Sequence, residues 1–91
     1  MKFEWDEAKR RTNLTRHGID FAELSSVFET TPVTELDDRY DYGERRFFTL
    51  GLLKGRVVAI SHTQTADVIR LISARRALKH EEIKYFREIW N

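Results

Sequence analysis

The apolar pattern of this chain changes period along its length, and that change limits the folds open to it. Before Pro32, the only proline, the signals are helical. Asp6 is placed to cap a helix, Glu7 favours the dipole of its first turn, and Arg16 and His17 favour its end. Gly18 suits the left-handed position just beyond, so a first helix is expected over about 7–16. Asp20 and Glu23 resemble a capping box with Ile19 and Leu24 as its hydrophobic staple. Phe21, Leu24, Val27 and Phe28 follow at helical spacing, giving a second helix over 21–28. After Pro32 the period becomes two. Val33–Leu36, Arg46–Leu53, Arg56–Thr63 and Val68–Ala74 read as strands, with turns at Asp41-Tyr42-Gly43, Lys54-Gly55 and 64–67. A last helix over about 78–90 places Ile83, Phe86, Ile89 and Trp90 on one stripe. The order α-α-β-β-β-β-α implies an α+β domain, a mainly antiparallel twisted sheet with its helices on one face.

Strand parity refines that expectation. Phe48, Leu50 and Leu52 share a face, as do Val58 and Ile60, and both sets are assigned to the helix side. Thr49, Gly51, Ala59, Ser61 and Thr63 then form an open, small and polar surface, with Arg70 on the same side opposite Ile69 and Leu71. Arg46 shares parity with Phe48, so it joins that surface only from a strand end or a bulge.

Ninety-one residues suffice for one domain over 1–91 and not for two. Cysteine is absent, which removes disulfide frameworks and thiolate metal sites and fits a cytoplasmic protein. The start Met1-Lys2-Phe3-Glu4-Trp5-Asp6 lacks an apolar signal region, and no apolar run approaches the ~18 residues of a membrane helix. Lys and Arg number 16 against 15 Asp and Glu, a net charge of +1 and a weak global signature for nucleic-acid binding. The distribution is more telling: base is concentrated over residues 2–17 and from Arg70 onward, acid between Glu29 and Glu44.

The densest chemistry lies where the last strand meets the last helix. Arg70, Arg75 and Arg76 gather planar, permanently charged forks at that junction, and guanidinium matches phosphate oxygens better than any other side chain. Phe3-x-Trp5-Asp6-x-x-Lys9 and Asn13-x-x-x-His17-Gly18-x-x-Phe21 open an ordered set of short motifs. Tyr42-Gly43-Glu44-x-Arg46 and Arg70-x-Ile72-Ser73-Ala74-Arg75 continue it, and Glu82 and Tyr85 close it. The set resembles the BrnT family of type II toxins over nearly the whole chain. The resemblance implies a RelE-like fold and metal-independent endoribonuclease activity, with no cofactor. It also implies neutralisation by a BrnA-like antitoxin, a small ribbon-helix-helix protein. DNA contact would then come only indirectly, through that antitoxin.

A metal-free ribonuclease must activate the RNA 2′-hydroxyl, stabilise charge on the phosphate and protonate the departing 5′-oxygen. Arg70 and Arg75 are the candidates for charge stabilisation, with Arg46 as a third; a salt bridge to an acid of the last helix such as Glu82 would explain them without function. Arg76 is a further RNA-binding candidate, or simply solvated. His17 has the imidazole chemistry for acid–base work, and a helix-capping role accounts for it equally. Tyr85 is a candidate proton donor or stacking partner, against packing beside Phe86. Glu82 is a candidate base or an orienter of arginine. Lys9, with Arg10 and Arg11, is placed to widen an RNA groove or to form a solvated helix face. His62 reads as a satisfied core histidine, and His80 as solvent-facing. Trp5 and Trp90 are expected to clamp the termini onto the core. No two histidines stand at metal-ligand spacing, and the clustered acids around Asp37 and Asp38 fall in an expected turn. A non-catalytic module whose arginines bind only an antitoxin's carboxylates is the alternative. A DNA-binding domain is disfavoured because no helix joins base-reading polar residues to a turn-helix context.

Overall fold

The computed structural model describes residues 1–90. The elements are β1 (Lys2–Trp5), α1 (Glu7–His17), a 3₁₀ turn at Phe21–Glu23, α2 (Ser25–Glu29), β2 (Val33–Asp37), β3 (Arg46–Leu53), β4 (Arg56–Gln64), β5 (Val68–Arg76) and α3 (Lys79–Ile89). The five strands lie in the order β1-β5-β4-β3-β2; β1 runs parallel to β5 and every other pairing is antiparallel.

The expected sheet of four strands is therefore one strand short. β1 is four residues long and alternates half-buried Phe3 and Trp5 with exposed Lys2 and Glu4. So brief an alternation is a weak signal, and its partner, β5, lies at the other end of the chain. The expected second helix is also divided. Asp20 accepts from the backbone N–H of Ala22 at 3.0 Å, and only a 3₁₀ turn follows before α2. Glu23 does not complete a capping box; it pairs with Lys54 at 2.7 Å. The first-helix caps stand as expected, with Asp6 accepting from Ala8 and Lys9 and Gly18 at φ 71°.

The helices pack on both faces of the sheet, not on one. Ile19, Phe21, Leu24 and Val27 cover Val58, Ile60, Ile69, Leu71 and Ala74 on the face toward α1 and α2. On the opposite face Tyr85, Phe86 and Ile89 of α3 cover Leu50, Val57, Ala59 and Leu52. Cross-strand register explains why the parity assignment fails. Lys54-Gly55, with φ values of 52° and 79°, forms a two-residue turn. Such a turn pairs even positions of β3 with odd positions of β4, so Leu50 meets Ala59 and Leu52 meets Val57. Phe48, Leu50 and Leu52 belong to the α3 face, and Thr49 and Gly51 lie beneath α2.

α3 covers only part of its face. Tyr85 is its buried anchor, while Ile83 and Trp90, expected in the buried stripe, are 47% and 78% exposed. Trp90 touches Phe86 at a ring distance of 5.3 Å without being sealed against the core; Trp5 packs edge-on to Phe21 at 6.4 Å. Among the described residues no helix is long and apolar enough to cross a membrane.

Candidate nucleic-acid interface

The uncovered remainder of the α3 face is where the arginines lie. Arg46, opposite Asp37, shares the side of Phe48; Thr63 opposite Arg70, Ser61 opposite Ser73, and Ala59 opposite Arg75 continue the same side across β4 and β5. Arg46 needs no bulge to reach this surface, since Phe48 lies on it too. Arg70 donates through Nη2 to both oxygens of Glu44 at 2.8 and 2.9 Å, and Arg46 donates through Nε to the same carboxylate at 3.2 Å. Arg75 makes a two-point pair with Glu81, at 2.8 and 3.0 Å. Arg39, in the loop after β2, makes another with Asp37, at 2.9 and 3.0 Å.

Phe48 sits at the centre. The guanidinium carbons of Arg39 and Arg75 both lie 5.8 Å from its ring centroid, and Arg46 lies 4.2 Å over the ring of Tyr42. Tyr42 in turn donates its hydroxyl to Asp37 at 3.1 Å. The surface thus interleaves planar cations with aromatic rings, the combination that holds a phosphate backbone and stacks bases.

Each of these arginines has an acidic partner, so their availability depends on how firmly each pair is held. The Arg70, Arg46 and Arg39 side chains are 37%, 27% and 62% exposed. Among the described residues, Arg70 leaves Nε and Nη1, and Arg46 both Nη groups, without a protein partner. The Glu44 pairs are of the exposed kind that contributes about 0–1 kcal/mol, so Glu44 holds its two arginines weakly. The Arg39 and Arg75 pairs are firmer. The Asp37 side chain is 4% exposed and also accepts from Tyr42; Glu81 is 12% exposed and also accepts from the backbone N–H of Leu78 at 2.8 Å, at the start of α3. Hydrogen bonding to Arg75 holds the Glu81 carboxyl below its ordinary range, and hydrogen bonding to Arg70 does the same for Glu44. The Arg39 hydrogen bond brings Asp37 down to about 2. These carboxylates are fixed counter-charges near neutral pH, poorly matched to proton transfer there.

The other sequence candidates lie elsewhere. Tyr85 has no exposed surface; its hydroxyl lies 2.9 Å from Thr31 Oγ1 and donates to the Thr31 carbonyl at 3.0 Å, so as placed it anchors α3. Glu82 does not pair with an arginine: Glu81, one residue earlier, does so, while Glu82 lines a shallow groove with Ile83, Phe86 and Trp90. His17 and Lys9 line a separate cleft with Asn13, Arg16, Ile72 and Ser73, between α1 and the stretch of β5 that β1 does not flank. Arg10 is held by Glu7 and Asp20. Arg76 is exposed and, adjacent to Arg75 in a strand, takes the opposite face. Of the expected set the fold brings Arg46 and Arg70 onto one carboxylate and places Arg75 on the same sheet face, against Phe48. Arg39, Tyr42 and Phe48 were not anticipated; an arginine and tyrosines inside an otherwise acidic stretch were the available signal. Among the described residues no group of His, Asp or Glu is gathered as metal ligands.

The small α+β domain thus presents arginines and aromatic rings on a half-open sheet face, a side-chain set suited to a phosphate backbone. More specifically, the chain belongs to the BrnT family: the family model for the ribonuclease toxin BrnT of type II toxin–antitoxin systems matches residues 5–81. No individual curated protein matches the chain. Membership makes this a ribonuclease toxin of a type II toxin–antitoxin system, with RNA as substrate and an antitoxin as partner.

Proposed function

We propose that the arginine face is the RNA-cleaving surface of a metal-independent endoribonuclease whose target is messenger RNA. The convergence of Arg46 and Arg70 on one displaceable carboxylate, with Arg75 on the same sheet face across Phe48, carries this reading. In it the scissile phosphate takes the place of Glu44, and the free N–H groups of Arg70 and Arg46 bind its oxygens. Arg75, pre-aimed by Glu81, stabilises the extra charge as the 2′-oxygen attacks phosphorus. Preorganised donors of this kind contribute ~10²–10³ in rate each. Phe48 and Tyr42 offer stacking surfaces for neighbouring bases. The 2′-hydroxyl gives its proton to water as its oxygen bonds to phosphorus. The bond to the 5′-oxygen breaks as that oxygen takes a proton from water, leaving a cyclic phosphate, or a 3′-phosphate after hydrolysis. Neutralisation follows if a BrnA-like ribbon-helix-helix antitoxin lays acidic side chains on the same arginines, DNA contact being left to the antitoxin.

Incubation of the purified protein with RNA in excess chelator tests the reading. Chelator-resistant cuts, reduced roughly 100-fold or more in folded Arg75→Ala and substantially in Arg70→Ala, are expected. Folded variants that cut at the wild-type rate would remove the arginine face from the chemistry. A second reading, a non-catalytic RelE-like module that only binds its partner, draws on the fact that Arg39, Arg70 and Arg75 already rest on carboxylates. It predicts intact RNA together with tight antitoxin binding.

A further inference from the structure

Arg70 and Arg75 are five positions apart, and in a regular strand residues at an odd separation point to opposite faces. They share a face here because β5 is bulged. Arg70 stands opposite Thr63 and Leu71 opposite His62, but the next pair is Ser73 with Ser61, so Ile72 is the extra residue and Arg75 falls opposite Ala59. The proposed cleaving surface therefore exists only while that bulge is kept.

We propose that Asn13 is the positioning residue that keeps it, acting through Arg75. Asn13 lies in α1 and is 5% exposed. Its Oδ1 accepts from the backbone N–H of Ala74 at 3.0 Å, immediately before Arg75 and just past the extra residue. Its Nδ2 donates to the carbonyl of Ile19 at 3.0 Å. One buried amide thus ties the bulge to α1 and to the turn that follows it. Without that amide both backbone groups lose their partner beside the cleft that Asn13 lines with Ile72. Among the described residues no other hydrogen bond from α1 then holds β5 against loosening or shifting register there. Either response moves Arg75, whereas Arg70, upstream of the bulge and flanked by β1, stays in place.

This rests on the arginine-face reading, and a double-mutant cycle separates the two. Under single-turnover conditions, well below the melting temperature, Asn13→Ala is expected to slow RNA cleavage tenfold or more. The same change in an Arg75→Ala background is expected to add less than twofold, since the group it positions is gone. Equal factors in both backgrounds would overturn the proposal and assign Asn13 to general stability. An Arg75→Ala protein that cuts normally would instead overturn the arginine-face reading. Should Asn13→Ala not fold, the cycle is run with Asn13→Ser, whose single short hydroxyl cannot reach both Ala74 and Ile19. A penalty that vanishes in the Arg75→Ala background supports the assignment, and one that persists there overturns it. Deleting Ile72 makes the separation of the two arginines even, so the Asn13→Ala penalty should then shrink to within threefold. A penalty undiminished by the deletion counts against the bulge as its cause.

Discussion

On the α1 side of the sheet polar groups are closed inside the protein, whereas on the α3 side the arginines lie nearer the surface and two of them, Arg46 and Arg70, share one exposed carboxylate. Thr49 and His62 are fully buried beneath α2, Thr49 Oγ1 lies 2.7 Å from His62 Nε2, and His62 Nδ1 lies 3.1 Å from the Thr63 carbonyl. Phe28 stands edge-on to the imidazole at 5.1 Å and Phe47 stacks on it at 5.9 Å. Among the described residues no buried side-chain polar atom lacks a partner. Across the sheet, Glu44 holds two arginines in the open. One face is committed to stability and the other keeps the donors of Arg46 and Arg70 exchangeable, although the same strands build both.

If that division holds, changes on the α1 side should alter folding and leave the chemistry of the folded protein alone. Gly51 gives the largest expected effect. A Cβ there would lie 2.3 Å from Cγ1 of Val27, a fully buried and conformationally stiff side chain. Gly51→Ala should cost about 2 kcal/mol, near 10 °C in Tm for a domain of this size. Val27→Ala in the same background should recover part of it. Calorimetry reads the stability, and cleavage per folded molecule should be unchanged. A loss of cleavage out of proportion to the folded fraction would erase the distinction between the faces.

His62 sets a smaller, pH-dependent effect. Burial lowers the pKa of its imidazole below the ordinary 6.5. The folded state therefore favours the neutral ring, while the unfolded chain takes up a proton as pH falls through 6.5. Stability contributed this way is complete above that pH and is lost progressively as pH falls toward the depressed folded value. His62→Gln should be less stable than wild type at neutral pH by ~1 kcal/mol and should show a flatter stability profile between about pH 6.5 and 5. Denaturant midpoints across that range check it; parallel profiles would show that His62 is not the group that titrates.

The parts that rest on local pattern were legible in the sequence: the α1 caps, the Lys54-Gly55 hairpin, the long strands and the placing of Arg70 opposite Ile69 and Leu71. Pairing was less so. The two-residue turn already dictated that Leu50 faces with Ala59, yet apolar content alone placed Leu50 with Val58 and Ile60. Both faces of the sheet are apolar where helices cover them, so composition could not separate them. β1 was hidden by its brevity and its remote partner. At the site, Arg46, Arg70 and Arg75 stood out by charge and spacing, but the bulge that brings the last two together has no signature in their separation. Glu81 and Glu82 were indistinguishable until the start of α3 fixed which one faces β5.

The subtlest expectation lies on the α3 side and concerns Glu44 alone. Arg70 and Arg46 both spend hydrogen bonds on it, so in the proposed complex it must leave before phosphate enters. Glu44→Gln keeps the shape of the side chain and removes its charge. Because the pair is exposed, the change should alter stability by less than about 0.5 kcal/mol. RNA affinity, in contrast, should rise by roughly two- to fivefold at low salt, because two arginines no longer exchange one anion for another. The gain should shrink as salt rises and the exposed charges are screened. Arg75→Ala would not mimic or abolish it, since Arg75 answers to Glu81 instead. A fall in affinity on Glu44→Gln would mean that the carboxylate orients the two forks and does not compete for them. The arginine face would then be as preorganised as the core behind it, and its difference from the α1 side would be one of exposure only.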